Sequence, residues 1–234
     1  MTPRSRSGFT LIEMMVVVAI IGILSGLAAA SSQRIGMRNA TQNAASDLGS
    51  LLQYARARAE AKGTDIYVIV YPKMTKAGAV TGGNGAVFVF EDPRGDFLTA
   101  SGACDGTAEC SWANFTPPTN IKSQNNSQSG LLQAIYLDDY PKKNVRFGKP
   151  AATAFAAPFS GLGSAADLNG CSFCTSSNKG AIVFTGEQQL RFLDNSGAPV
   201  AQRVAGLALQ GVDNTNNTFL FGLVGATGLV TLVK

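Results

Sequence analysis

Apolar residues follow two unlike patterns along this chain. From Phe9 to Ala30 they run almost unbroken, and Glu13 is the one charge among them. At about 1.5 Å per residue this run makes a helix of about 33 Å, enough to cross a bilayer core. Further on, apolar positions fall at Ala44, Leu48, Leu51, Leu52, Ala55 and Ala59, the spacing of one helix face. No proline separates the two patterns; the nearest are Pro3 and Pro72. They therefore predict one continuous helix of about 50 residues, apolar all round at first and one-sided afterwards. Arg56 and Glu60 can pair one turn apart near its end. Gly63 suits a left-handed C-terminal cap.

After Gly63 the pattern becomes strand-like. Ile66 to Tyr71 is rich in β-branched and aromatic residues and stops at Pro72. Ala86 to Phe90 is a second short run, and Leu131 to Leu137 is compatible with strand or helix. Ala181 to Phe184 and Gln189 to Leu193 read as a hairpin closed near Thr185 and Gly186. Val200 to Gln210 reads as a strand. Phe219 to Val224 and Leu229 to Val233 form the clearest hairpin, turning at Gly225-Ala226-Thr227-Gly228. Asp92 to Gly130 and Gly148 to Lys179 read as irregular. No repeat or interdomain linker interrupts the pattern, so the expectation is one α+β domain: a long N-terminal helix packed on a β-rich head.

Charge and composition narrow the chemistry. The chain has 234 residues, 19 basic and 15 acidic, for a net charge of +4. Arg4 and Arg6 precede the apolar run, and the remaining excess is too small to indicate nucleic acid as the main partner. Histidine is absent, which excludes Ser-His-Asp and Cys-His catalytic sites and the usual His-based metal sites. No Walker-type phosphate loop appears, and Gly161-Leu162-Gly163-Ser164-Ala165 does not complete a nucleophile elbow. Nothing in the composition calls for a cofactor. The four cysteines fall in two close pairs, Cys104 with Cys110 and Cys171 with Cys174. In an oxidising compartment they read as disulfides, with three connectivities open. A zinc site using Cys171-Ser172-Phe173-Cys174, or free thiols, are the alternatives.

An acid inside a membrane segment is costly and is retained where it has a use. Here it follows a short basic leader, Met1 to Ser7, in the order Gly8-Phe9-Thr10-Leu11-Ile12-Glu13-Met14. This arrangement resembles the type IV prepilin signal. The resemblance implies that a prepilin peptidase cuts between Gly8 and Phe9 and methylates the new amine of Phe9. It places Glu13 at the fifth position of the mature chain, where it pairs with the terminal amine of a neighbouring pilin during assembly. It also implies a protein anchored in the bacterial inner membrane before it enters a pilus or pseudopilus. Its expected divisions are a cleaved leader at 1–8, a transmembrane half-helix at 9–30, an amphipathic half-helix at 31–63 and a head at 64–234.

The segment Ser46-Asp47-Leu48-Gly49-Ser50-Leu51-Leu52-Gln53-Tyr54-Ala55-Arg56-Ala57-Arg58-Ala59-Glu60-Ala61, followed by a strand, resembles the GspH/FimT branch. Members often carry an Ala-Arg pair late in the helix and end in a hairpin with a Thr-Gly turn, here Thr227-Gly228. This implies a minor pilin, or a type II secretion pseudopilin of the GspH type. Two departures qualify it. Ala30 stands where many major pilins carry a kinking proline. The residues after the final Thr-Gly are Leu229-Val230-Thr231-Leu232-Val233-Lys234, without the arginines that some FimT-like members use on DNA, which argues against DNA binding.

Other readings are available for the same residues. Ala28-Ala29-Ala30 before Ser31 resembles a secretory peptidase site and would release a periplasmic binding module. A plain membrane-anchored domain is a third reading, with Glu13 reaching to the bilayer interface. In the head, Asp213, Asn214, Asn216 and Asn217 read as a polar turn before a calcium site. Asp138 and Asp139 read as a solvated pair. Arg94-Gly95-Asp96 reads as a turn after Pro93, and Lys142, Lys143, Arg146 and Lys149 as a solvated basic face.

Overall fold

A computed structural model describes residues 10–92, 95–99, 111–115, 130–148, 157, 159–162, 170–174 and 179–233; side chains at 29–38, 161 and 233 are outside the description. The expected α+β architecture is observed. Helix α1 spans Leu11–Lys62. Thr10 caps its start with extended backbone, and Gly63 ends it at φ 66, its N–H bonded to Ala59 O at 2.8 Å.

Among the described residues nine strands follow: β1 (Asp65–Tyr71), β2 (Ala86–Asp92), β3 (Leu131–Tyr136), β4 (Val145–Phe147), β5 (Gly180–Phe184), β6 (Leu190–Leu193), β7 (Val204–Gly211), β8 (Thr218–Val224) and β9 (Leu229–Val233). They form two antiparallel sheets, ordered β3-β2-β1-β5-β6 and β4-β7-β8-β9. Leu131 to Leu137 resolves as strand β3 followed by a 3-10 turn at Leu137–Asp139. β7 starts at Val204 rather than Val200, because Val200 N–H is already bonded to Phe192 O beside the β6 strand.

Helix α1 fills the space between the inner faces of the two sheets. Its buried positions include Ala40, Ala44, Ala45, Leu48, Leu51, Leu52, Ala55 and Ala59, one face at helical spacing. They meet Val68 and Val70 of β1, Ile182 and Phe184 of β5, Leu207 and Leu209 of β7, and Phe221 and Leu223 of β8. Small residues on the helix let it approach closely, while the strands supply the bulk.

The first sheet is buried on both sides. Alternate residues Tyr67, Ile69 and Tyr71 of β1 and Phe88 and Phe90 of β2 form a second core on its outer face. Phe97, Trp112 and Phe115 cover them from segments read as irregular in the sequence. Phe97 stacks on Phe90 at 4.3 Å between centroids and meets Trp112 edge-on at 6.0 Å. Tyr71 O–H donates to Phe115 O at 3.0 Å. Each aromatic withdrawn from water here contributes about 1.5–3 kcal/mol, which fixes these loops on the sheet.

Candidate assembly site at the head of the helix

The first turn of α1 is organised around Thr10 and Glu13. Thr10 takes φ −80 and ψ 152, leaving the helix path and freeing its side chain to cap. Its backbone N–H donates to Glu13 Oε2 at 2.8 Å, and its hydroxyl donates to the same oxygen at 2.9 Å. Glu13 N–H in turn donates to Thr10 Oγ1 at 3.3 Å. This reciprocal box satisfies donors that a helix start otherwise leaves open. In an apolar medium each open backbone donor is expensive. The carboxylate also lies at the positive end of the helix dipole. Glu13 therefore has a local role besides any contact with a neighbour. Thr10 went unremarked in the sequence reading, although Thr-x-x-Glu before an apolar run is the box signature. Gly8 and Phe9 lie outside the described residues.

Beyond that turn the helix projects free of the head. Leu11–Ala28 has a mean hydropathy of 2.5, and none of it is buried. Leu11 is 79% exposed and Leu27 65%. Length and apolarity suffice to cross a membrane. An apolar surface of this extent requires lipid or other helices around it.

Other sequence candidates fall at separate places in the head. Cys171 and Cys174 form a disulfide, with Cα atoms 5.4 Å apart. Both sulfurs are thereby withdrawn from the thiolate zinc alternative. Cys104 and Cys110 lie outside the described residues. Cys171 is buried and bridges to Leu207 of β7, while Ser172 N–H donates to Gly206 O at 3.0 Å. Asp139 pairs with Lys76 Nζ, and Asp138 accepts the Lys76 N–H at 3.1 Å. Asp213 and the asparagines form a turn: Asp213 N–H donates to Asn144 Oδ1 at 2.8 Å and Asn216 N–H to Asn214 Oδ1 at 3.1 Å. Among the described residues no group of three or more His, Cys, Asp or Glu is placed to hold a metal. Arg94 and Lys149 lie outside the description.

Residues 3–29 match the family model described as the prokaryotic N-terminal methylation motif. Two fimbrial proteins of Pseudomonas aeruginosa are each 40% identical to this chain over 73 residues. The chain is type IV pilin-like. The matched stretch is 31% of this chain and 47% of each relative, so the match spans about half the length of those curated relatives. No solved structure matches the chain. The motif encloses both Thr10 and Glu13, so the capping box of this pilin-like chain lies inside the segment that matches the family model. A pilin-like motif and an exposed apolar helix fit membrane anchoring.

Proposed function

We propose that this chain is a minor pilin, a structural subunit that initiates or caps a type IV pilus. A prepilin peptidase cleaves between Gly8 and Phe9 and methylates the Phe9 amine. The apolar half of α1 holds the subunit in the inner membrane with the head outside. On extraction, Glu13 pairs with the terminal amine of an adjacent subunit, and the apolar helix surfaces pack together. The observation that carries this reading is the coincidence of the methylation motif at 3–29 with an apolar helix that the head leaves entirely uncovered. A charged amine and a carboxylate in a low-dielectric layer are each costly alone, so pairing them sets the axial position of one helix against the next.

The GspH/FimT branch is supported by a long-range contact. Arg56 Nη1 donates to Gly228 O at 2.9 Å, joining the late-helix Ala-Arg feature to the Thr-Gly turn. A type II secretion pseudopilin of the GspH type shares both features and is the second reading. Mass spectrometry of the mature amino terminus tests the first step. N-methylated Phe9 supports the pilin reading, and Ser31 as first residue refutes it. Deleting the chain and scoring pilus number against secreted exoprotein then separates the pilus from the secretion reading.

A further inference from the structure

The turn between β3 and β4 contains two consecutive lysines in the left-handed region, Lys142 at φ 56 and Lys143 at φ 52. Side chains with a Cβ avoid this region, and a turn with two such central residues favours Asn-Gly. The conformation is nevertheless secured on several sides. Lys143 N–H donates to Tyr140 O at 2.9 Å and Asn144 N–H to Pro141 O at 3.2 Å. Asn84 Nδ2 donates to Lys143 O at 2.8 Å, and Tyr140 O–H donates to Asp47 of the helix at 2.6 Å. Strain maintained by this many contacts on a surface turn points to a use for the side chains it aims.

Those side chains rim a concavity. Lys142, Lys143 and Lys76 line it with Thr75, Asn84 and Asp138, around a volume of about 820 Å³. Lys76 is engaged by Asp139, and Asp138 accepts the Lys76 backbone N–H. Among the described residues neither Lys142 nor Lys143 pairs with a carboxylate. Two uncommitted ammonium groups, a third held by Asp139, and the Asn84 amide, one N–H of which donates to Lys143 O, place several donors around this hollow.

The hollow lies at the end of the head that the helix enters first. Val212 forms part of its wall, next to Gly211, which packs beside Thr41. The candidate membrane span ends at Ala28, about 20 Å below Thr41 along the helix.

We propose that this hollow binds a phosphate-bearing anion through Lys142 and Lys143, with Lys76 and Asn84 completing the contact. Charge-assisted bonds from lysine to phosphate oxygens favour such a ligand over a neutral one. The same chemistry is offered by a soluble phosphate compound and, with the helix tilted so that the head leans onto the bilayer, by a phospholipid headgroup. The proposal is independent of the pilin assignment.

The test uses the full chain in neutral detergent micelles and follows the backbone amide NMR signals of Lys142 to Val145. Sodium pyrophosphate and short-chain phosphatidylglycerol are titrated separately, with short-chain phosphatidylcholine as control. Saturable shifts with pyrophosphate alone identify a soluble ligand. Shifts with phosphatidylglycerol beyond those with phosphatidylcholine identify a lipid headgroup. Shifts with neither probe overturn the proposal. K142N/K143G removes both charges and relieves the strain; it is expected to bind roughly tenfold more weakly or worse while melting at the same or higher temperature. Retained affinity in K142N/K143G overturns the proposal, as does a clear loss of stability, which would make the turn structural. K142Q/K143Q, which keeps the strain and removes the charge, is expected to show the same loss of binding.

Discussion

Arg56 and Gly228, 172 residues apart in sequence, are joined by a hydrogen bond of 2.9 Å from Arg56 Nη1 to the Gly228 carbonyl. The same guanidinium holds Glu60 through Nε at 3.0 Å. Gly228 sits at φ 62, and a Cβ there would lie 2.5 Å from Gln188 O. One arginine therefore fastens the last turns of the helix to the β8–β9 hairpin, and the glycine brings the β5–β6 turn against the same point.

Arg56→Ala is expected to lower stability by about 1 kcal/mol, the scale of a half-exposed charged hydrogen bond. Gly228→Ala is expected to cost more, roughly 2 kcal/mol or above, because it combines left-handed strain with a collision against backbone. Denaturant unfolding of the full chain in detergent checks the order. Equal losses for the two variants would show that the turn relaxes around the added methyl.

The Cys171–Cys174 bridge closes a short loop, so its effect on the unfolded chain is modest, roughly 2 kcal/mol. Its position makes it matter more locally. Cys171 is buried and bridges to β7, next to the Ser172–Gly206 bond. The double change Cys171→Ser/Cys174→Ser is expected to lower the melting temperature by several degrees and to raise hydrogen exchange at Gly206 and Leu207 before the rest of the sheet. Uniform exchange across both sheets would contradict this local role.

Legibility in the sequence followed the range of each interaction. Helix α1, the β5–β6 hairpin and the β8–β9 hairpin rest on local periodicity, caps and turns, and Gly63 and Thr227-Gly228 punctuate them where expected. Strand β4 is three residues long, too short for an alternating pattern, and exists because Val145 to Phe147 pairs with Gly211 to Leu209. Phe97, Trp112 and Phe115 look like scattered aromatics in loops. The clue lay in β1 and β2, which are apolar on both faces and so require a cover on each. At the candidate site Glu13 is conspicuous as a lone acid, whereas Thr10 is legible only through the Thr-x-x-Glu spacing of a capping box.

Lys179 is held under Trp112, its Nζ 4.5 Å from the ring centroid and donating to the Trp112 carbonyl. Burial is what lowers its pKa, to about 8. The folded state therefore releases this proton earlier than the unfolded chain, where lysine titrates near 10.4. Between about pH 8 and pH 10 the unfolded state binds more protons, so stability rises with pH through this group. Above about pH 10 the buried tyrosines oppose it: burial raises Tyr136 to about 12 and moves Tyr67 and Tyr71 upward as well. Their stabilisation is lost as pH climbs past the unfolded tyrosine value toward the folded one. The expected profile rises from pH 8 to a maximum near pH 10 and then falls. Lys179→Met is expected to abolish the rise and keep the fall. A rise that survives in Lys179→Met would assign it to another group.

Thr10 and Glu13 share one box, so substitutions there separate helix capping from subunit pairing. Glu13→Ala removes both the cap acceptor and the carboxylate proposed to meet a neighbour's amine. Thr10→Ala leaves that carboxylate and its bond from the residue 10 backbone N–H, but removes the hydroxyl that donates to it and accepts from Glu13 N–H, at a capping cost of about 1 kcal/mol. Glu13→Gln keeps a hydrogen-bond acceptor for the Thr10 N–H and removes the charge. If pairing with a neighbour governs assembly, Glu13→Ala and Glu13→Gln should both be cleaved and membrane-bound yet poorly incorporated into filaments. Thr10→Ala should incorporate more nearly normally. If capping governs, Glu13→Gln should resemble the parent, while Thr10→Ala should fail alongside Glu13→Ala. Quantifying each variant in sheared filaments against its membrane pool distinguishes the two, and normal incorporation of Glu13→Ala would remove the acid from assembly altogether.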